Sequence, residues 1–225
     1  MNANGAATLI RPYQPTDRPE VRRICCETGY MGSPSDWYWR DRESFADIWT
    51  GYYTDREPES AFVAVRDGQI LGYLIGCVDT RKAPSDASNF LKQTFKRFLL
   101  FRPGTARYLW RTLSDLLGGT PIPSSELDLD RFPSHLHIDL LPEGRGSGAG
   151  RGLMLAWFNR LEKVGSPGCH LGTLGENANA IAFFERMGFR RLGPPALIPG
   201  MRSPSGDRIH DQIMVREMGS SQNRD

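Results

Sequence analysis

Between Ser134 and Trp157 the chain reads SHLHIDLLPEGRGSGAGRGLMLAW. The first residues alternate, with Leu136, Ile138 and Leu140 on one side and His135, His137 and Asp139 on the other, the pattern of a strand with two different faces. A glycine run follows, Gly146, Gly148, Gly150 and Gly152, and then a stretch that reads as a helix from about Gly148 to Val164. A strand that feeds a helix through bare backbone constrains the fold more than any other feature here. The first-turn N–H groups of a helix have no partner inside it, and the helix dipole favours negative charge there. Glycine clears side chains from the approach. The segment therefore predicts an anion site, with a phosphate-bearing ligand as the expected guest.

The loop is neither of two common phosphate motifs. It lacks G-x-x-x-x-G-K-[ST], which excludes a nucleoside triphosphatase loop. It lies deep in the chain rather than after the first strand, and no acidic residue follows where a dinucleotide fold needs one.

The rest of the chain supplies strands and helices around this unit. Ala7 to Arg11 reads as a short strand. A helix follows that Asp17 can cap and Pro19 can open, and a second helix spans about Trp37 to Tyr52. AFVAVRDGQILGYLIGCVD is a hairpin turning at Asp67-Gly68, with Gly72 marking a bulge or a close backbone approach. Residues 81–133 interrupt the alternation. Two amphipathic helices are expected there, with Phe90, Leu91, Phe95, Phe98 and Leu99 on one face and Tyr108, Leu109, Leu113, Leu116 and Leu117 on the other helix's face. They join at Arg102-Pro103-Gly104, and Pro121 and Pro123 close the second. After the glycine loop come a strand at GCHLGTL, a helix at NANAIAFFERMG ended by Gly188, and strands at FRRLGP and DRIHDQIMVREM. The order is β-α-α-β-β-(α-α)-β-loop-α-β-α-β-β, an α/β sheet with helices on both faces. One domain over 1–218 is expected, with a disordered tail at 219–225.

Composition limits the partners. A formal charge of +2 over 225 residues gives no general case for nucleic acid, no apolar run reaches the ~18 residues of a membrane span, and Met1 to Thr8 lacks the pattern of a signal peptide. Cys25, Cys26, Cys77 and Cys169 contain no C-x-x-C pair and read as buried thiols in a reducing cytoplasm, with no metal expected. The insertion is the exception in charge. From Arg81 to Arg111 it carries Lys82, Lys92, Lys96, Arg97, Arg102 and Arg107 with Asp86 opposing. These are either the solvated faces of two helices or a surface for an acidic partner or ligand phosphate.

Arg145-Gly146-Ser147-Gly148-Ala149-Gly150, preceded by Pro142, fits R-x-x-G-x-G and resembles the pyrophosphate loop of the GCN5-related N-acetyltransferases. TLIRPYQPTDRPEVRRI is similar to that family's opening strand and helix, and ENANAIAFFERMGF to its late helix, N-x-x-A-x-x-F-[YF]-x-x-x-G-F. The three segments stand in the family's order and frame nearly the whole chain. SHLHIDLL and RFLLF…ARYLW are further similar to the acetyltransferase-like C-terminal domain of O-GlcNAcase and its free-standing bacterial relatives. The chain is too short to hold a glycosidase barrel as well, so a free-standing protein is expected.

The resemblance implies the GNAT fold: a mixed, mostly antiparallel sheet with a splayed strand pair and, in this chain, a helical insertion before the fourth strand. It implies acetyl-CoA as co-substrate. Leu140 and Leu141 would pair with pantetheine along the splayed strand. Arg145, Gly146, Ser147, Gly148, Ala149 and Gly150 would hold the pyrophosphate, with Arg151 adding charge, and Asn177 would contact the pantetheine arm. Phe184 stands where many members carry a Tyr that protonates the leaving thiolate. Asp139, matching an Asp of the O-GlcNAcase-like domains, is the first candidate for a base, His137 the second and Glu176 a weaker third; the same strand face could instead serve packing. The acceptor would be an amine on a small molecule, a sugar or a peptide, bound near GYMGSPSDWYWRD. The aromatic rings with Asp36 and Asp41 there suit a cationic amine or a sugar, and would equally serve as core. A second copy of the chain is a further candidate partner.

Overall fold

The computed structural model describes residues 7–101, 104–120 and 127–219. The tail beyond Gly219, the Arg102-Pro103 joint and Pro121 and Pro123 lie outside the described residues. Strands β1 (Leu9–Pro12), β2 (Ala61–Arg66), β3 (Gln69–Cys77), β4 (Ser134–Leu140), β5 (Gly168–Leu174), β6 (Arg190–Arg191), β7 (Ala196–Arg202) and β8 (Arg208–Glu217) form one sheet. The order is β1-β2-β3-β4-β5-β8-β6, with β7 also paired to β8. All pairings are antiparallel except β4 with β5.

Helices cover both faces, as alternation in the strands requires. The helices are α1 (Arg18–Thr28), α2 (Arg42–Arg56), α3 (Asp86–Lys96), α4 (Thr105–Leu117), α5 (Ala149–Val164) and α6 (Ala178–Arg186). Val63, Tyr73 and Ile75 pack with Val21, Ile24 and Cys25 of α1 and Phe45, Ile48 and Tyr53 of α2. Leu74, Leu136 and Leu171 point the other way, onto Leu153, Trp157 and Leu161 of α5 and Ile181 and Phe184 of α6. All four cysteines are buried free thiols.

The β2–β3 hairpin turns at Asp67 and Gly68, both with positive φ, as a two-residue turn between twisted strands requires. Gly72 combines both of its expected roles. The β2–β3 register shifts between Ala64 and Val65. A Cβ on Gly72 would overlap Leu140 Cδ2 and come within 2.6 Å of Asp139 O. Bare backbone here lets β4 close onto β3 beside Asp139.

Several expectations need correction. Helix α2 starts at Arg42, not Trp37, because Asp41 caps it by accepting from Ser44 N at 2.8 Å. Asp17 stands at the N-cap of α1 but its carboxylate takes Arg11 and the N–H of Gln14 instead of the helix. Strand β7 falls in PPALIPGMR, where Pro and Gly obscure any alternation. The insertion's apolar stripes are wider than the surface available to them. Phe90, Leu99, Tyr108 and Leu109 pack against the core, while Leu91, Phe95, Phe98, Leu113, Leu116 and Leu117 are exposed. Helix α3 ends at Lys96 and Phe98 takes a positive φ, which turns it off the face that Phe90 occupies. No helix among the described residues is long and apolar enough to cross a membrane.

Candidate active site

Strands β4 and β5 pair at Ser134–Cys169 and His135–His170 and then part, while β4 stays paired to β3 through Leu140. The outer edge of β4 therefore faces a cleft. Leu141 N–H donates to Leu71 O of β3 at 2.8 Å. Alternation then turns the backbone of Leu140 toward the cleft. The structure separates the two expected pantetheine partners: Leu140 turns its N–H to the cleft, its C=O accepting from the Arg145 guanidinium, whereas both backbone groups of Leu141 are spent, its C=O accepting from Gly144 N.

The glycine loop closes one end of this cleft. After a 3-10 turn at Pro142–Gly144, Gly146 and Gly148 take φ of 70° and 83°. Gly148 is the N-cap of α5 and offers no side chain to cap it. Among the described residues no backbone carbonyl accepts from the N–H groups of Gly146, Ser147, Gly148, Ala149, Gly150 or Arg151. These six donors lie at and just before the positive end of a 16-residue helix, a setting that favours phosphate. Gly150 lies against Leu140 and Phe183, and Arg151 is exposed on the first turn. Arg145 departs from its expected role. Its N–H donates to Pro142 O. Its guanidinium reaches back to Leu140 O at 3.1 Å and Gly32 O at 2.6 Å, tying the loop to the segment after α1.

Asn177 caps α6 by accepting from Ala180 N at 3.2 Å, which leaves its amide NH2 as a donor. Phe184 is buried, its ring against Phe183 and Phe189. It carries no proton to give. Glu176 accepts from His210 Nδ1 at 2.7 Å and from His210 N, so its carboxylate is committed to β8.

Asp139, His137 and His135 share the face toward α1 and α2, as alternation predicts. Tyr73, directly opposite in the β3–β4 register, donates its hydroxyl to Asp139 Oδ2 at 2.5 Å. Burial pushes the Asp139 carboxyl above the usual carboxylate range, against the lowering effect of the Tyr73 and Thr28 hydroxyls. Burial and Asp139 together push the Tyr73 phenol far up, so it stays a donor. A raised carboxylate is a stronger base than a surface one.

The two histidines form a chain through Tyr53. Its hydroxyl lies 2.7 Å from His135 Nε2 and 2.9 Å from His137 Nε2. Thr80 Oγ1 lies 2.7 Å from both Pro133 O and His135 Nδ1. One run of hydrogen bonds thus joins Thr80, His135, Tyr53 and His137, with donor directions set by the ring tautomers. Burial, and then the neighbouring His137 and His170, hold the His135 pKa well below its usual value, which agrees with a neutral ring. Tyr53 and Tyr73 are absent from the sequence-based candidates. Tyr73 was within reach, because it is the residue that an antiparallel β3–β4 register sets beside Asp139. Tyr53 carried no signal, since it sits across the sheet on a helix.

The acceptor wall also differs from expectation. Asp36 accepts from Arg42 at 3.2 Å and Asp41 caps α2. Asp36 Oδ1 is left without a partner among the described residues, and Arg97 lies 3.7 Å from Asp41.

A sequence profile of the acetyltransferase (GNAT) family matches residues 30–189. The chain is similar to the solved structure of SsHAT, with 27% identity and a TM-score of 0.63 over 95% of this chain and 100% of that one. It shares its fold with yncA of Salmonella typhimurium, solved with its cofactor acetyl-CoA, at 14% identity and a TM-score of 0.58 over 97% and 98% of the two chains. The same holds for the GNAT-superfamily phosphinothricin acetyltransferase of Sinorhizobium meliloti in complex with AcCoA, at 17% identity and a TM-score of 0.59 over 96% and 91%. With the strand pair parted beside a glycine loop and the family profile running from the end of α1 through α6, the chain belongs to the acetyltransferase (GNAT) family.

Proposed function

We propose that the protein is an acetyl-CoA-dependent N-acetyltransferase that passes an acetyl group directly to an amine. The observation that carries this reading is the parted β4–β5 pair with six unpaired loop N–H groups at its end. That combination fits a ligand with a diphosphate at one end and amides along its length. The loop donors would take the pyrophosphate, with Arg151 adding charge, the Leu140 edge and Asn177 NH2 would pair with pantetheine, and the thioester would lie toward Asp139. Two of the structural relatives were solved with acetyl-CoA.

In the reaction, the amine lone pair attacks the thioester carbonyl carbon, the C–S bond breaks, and the sulfur leaves as thiolate. The proton that the nitrogen sheds goes to Asp139, directly or through water, with His137 as the second candidate. Holding the two reactants together supplies much of the acceleration. With Phe184 in the position of the usual acid, the leaving thiolate takes its proton from solvent.

A second reading, a catalytically silent acetyl-CoA-binding or interaction module, is favoured by that same Phe184. The described strands join one sheet, which supports treating residues 1–218 as one domain with the 81–133 insertion. Four buried free thiols agree with the cytoplasm as the compartment. The test is release of coenzyme A from acetyl-CoA across an amine panel. Turnover with at least one amine upholds the enzyme reading. Acetyl-CoA binding with no release above hydrolysis for any amine upholds the module.

A further inference from the structure

The basic insertion builds a concavity of its own. Helix α4 is pressed between the α1–α2 segment and β7. Arg40 N–H donates to Thr105 Oγ1 at 3.2 Å, and Thr112 Oγ1 donates to Pro199 O at 3.3 Å. A Cβ at Gly200 would overlap Thr112 Oγ1, so this contact needs glycine. Between these elements lies a cavity of about 390 Å³, walled by Arg40, Arg107, Arg111 and Arg202 with Trp37 and Tyr108. Its size is that of a small-molecule site.

The charge on this wall is unbalanced. Elsewhere arginines are paired: Arg11 with Asp17, Arg22 with Asp47 and Glu43, Arg23 with Glu20 and Glu27. Among the described residues no carboxylate lies within ion-pair distance of Arg40, Arg107 or Arg111. Asp115 is the acid nearest the wall, and it is committed. It binds Arg202 at 2.7 Å, accepts from Gly200 N at 2.8 Å and lies 3.8 Å from Arg208, which hold its carboxyl down to about 2. Asp207 on the β7–β8 turn is taken by the Ser203 and Ser205 hydroxyls. Arg40, Arg107 and Arg111 are solvent-exposed and line one hollow, and a multiply charged anion would engage them through forked hydrogen bonds.

One cluster of packed side chains links the wall of the hollow to β5. Tyr38 and Tyr108 pack in one cluster with Tyr30, Met201 and Leu174, and Leu174 is the far end of β5, the strand that parts from β4.

We propose that this cavity is an acceptor subsite for an anionic group, a phosphate or a carboxylate carried on the same small molecule as the attacking amine. This rests on the acetyltransferase reading. The aromatic walls take the body of the molecule and the arginines its charge.

The test uses matched pairs: phosphoethanolamine with ethanolamine, glucosamine 6-phosphate with glucosamine, and 4-aminobutyrate with 4-aminobutanamide. Binding is measured by calorimetry in saturating coenzyme A, which blocks the glycine loop. The proposal expects the member bearing the anionic group to bind at least tenfold more tightly than its twin without it. The advantage should shrink with rising salt and vanish in Arg107→Gln/Arg111→Gln, and separately weaken in Arg40→Gln. Phosphate pairs against the aminobutyrate pair tell which anion is preferred. Equal binding within every pair overturns the proposal, as does a preference that survives the double variant with an unchanged melting temperature. Coenzyme A release is then followed with acetyl-CoA. Anion binding without release refutes the transferase reading and leaves an anion site; release at equal kcat/KM within every pair refutes the subsite and leaves the transferase.

Discussion

Asp139→Asn separates chemistry from packing better than any other change. The substitution keeps the shape and removes the charge. In the native protein Tyr73 O–H donates to Asp139 Oδ2 at 2.5 Å in a buried setting. Asn retains an oxygen for that donor, so a charge-assisted bond becomes a neutral one, a loss of about 1 kcal/mol. Against this stands relief from burying a carboxylate, which the raised pKa of Asp139 records. The two offset, and the net change in stability at neutral pH should lie within about 1 kcal/mol of zero. The pH dependence has a definite sign. A carboxyl whose folded pKa is raised favours the folded state below its unfolded pKa of about 4 and loses that contribution as pH rises through the folded value. Asn does not titrate, so the variant's stability relative to wild type should improve as pH rises across that window. Turnover should behave differently, falling about a hundredfold, or about 2.7 kcal/mol, with loss of a general base. Acetyl-CoA affinity should change by less than about threefold, roughly 0.7 kcal/mol. Denaturant melts at several pH values, calorimetry and coenzyme A release read these quantities. An unfolded variant, or full turnover in a folded one, would refute the assignment of Asp139 as base.

Three further changes follow from the same geometry. Gly72→Ala places a Cβ into Leu140 and within 2.6 Å of the Asp139 carbonyl. It should cost about 1–3 kcal/mol in urea unfolding and lower kcat. Tyr53→Phe removes the hydroxyl that bridges His135 Nε2 and His137 Nε2 and should cost about 1–3 kcal/mol, with little change in acetyl-CoA affinity by calorimetry. Phe184→Tyr should raise kcat by restoring a proton donor; a drop of more than about 2 kcal/mol in stability with no gain in kcat would mean that the new hydroxyl is buried among Phe183 and Phe189 without a partner.

The parts of the fold that could be read from sequence are those where local chemistry decides the outcome. Asp67-Gly68 demands two positive φ values, and the hairpin is there. Alternation in SHLHIDLL sorted Asp139 and His137 from Leu136 and Ile138 onto opposite faces. The glycine loop stands between β4 and α5 as its sequence implies, with Gly146 and Gly148 at positive φ. What escaped depends on tertiary partners. Whether Phe95 or Phe90 is covered is set by the area of sheet and helix beneath the insertion, not by the stripe itself. Strand β7 exists because β8 is there to pair with it, despite Pro199 and Gly200. The roles of Asp36 and Asp41 turned on Arg42 and the start of α2. Arg145 carried the motif, yet its side chain went to Leu140 O and Gly32 O, a choice made by a segment more than a hundred residues away in sequence.

The central claim is that the parted strands and the loop at the start of α5 hold acetyl-CoA, and titration calorimetry tests it most directly. Wild-type protein is titrated with acetyl-CoA beside Gly148→Asp. In the variant a residue with a side chain is forced to φ 83°, and a carboxylate stands among the loop donors. The account predicts saturable one-to-one binding by wild type and at least a hundredfold weaker binding by a folded variant, about 2.7 kcal/mol. No binding by wild type, or equal affinity in the two proteins, would contradict it.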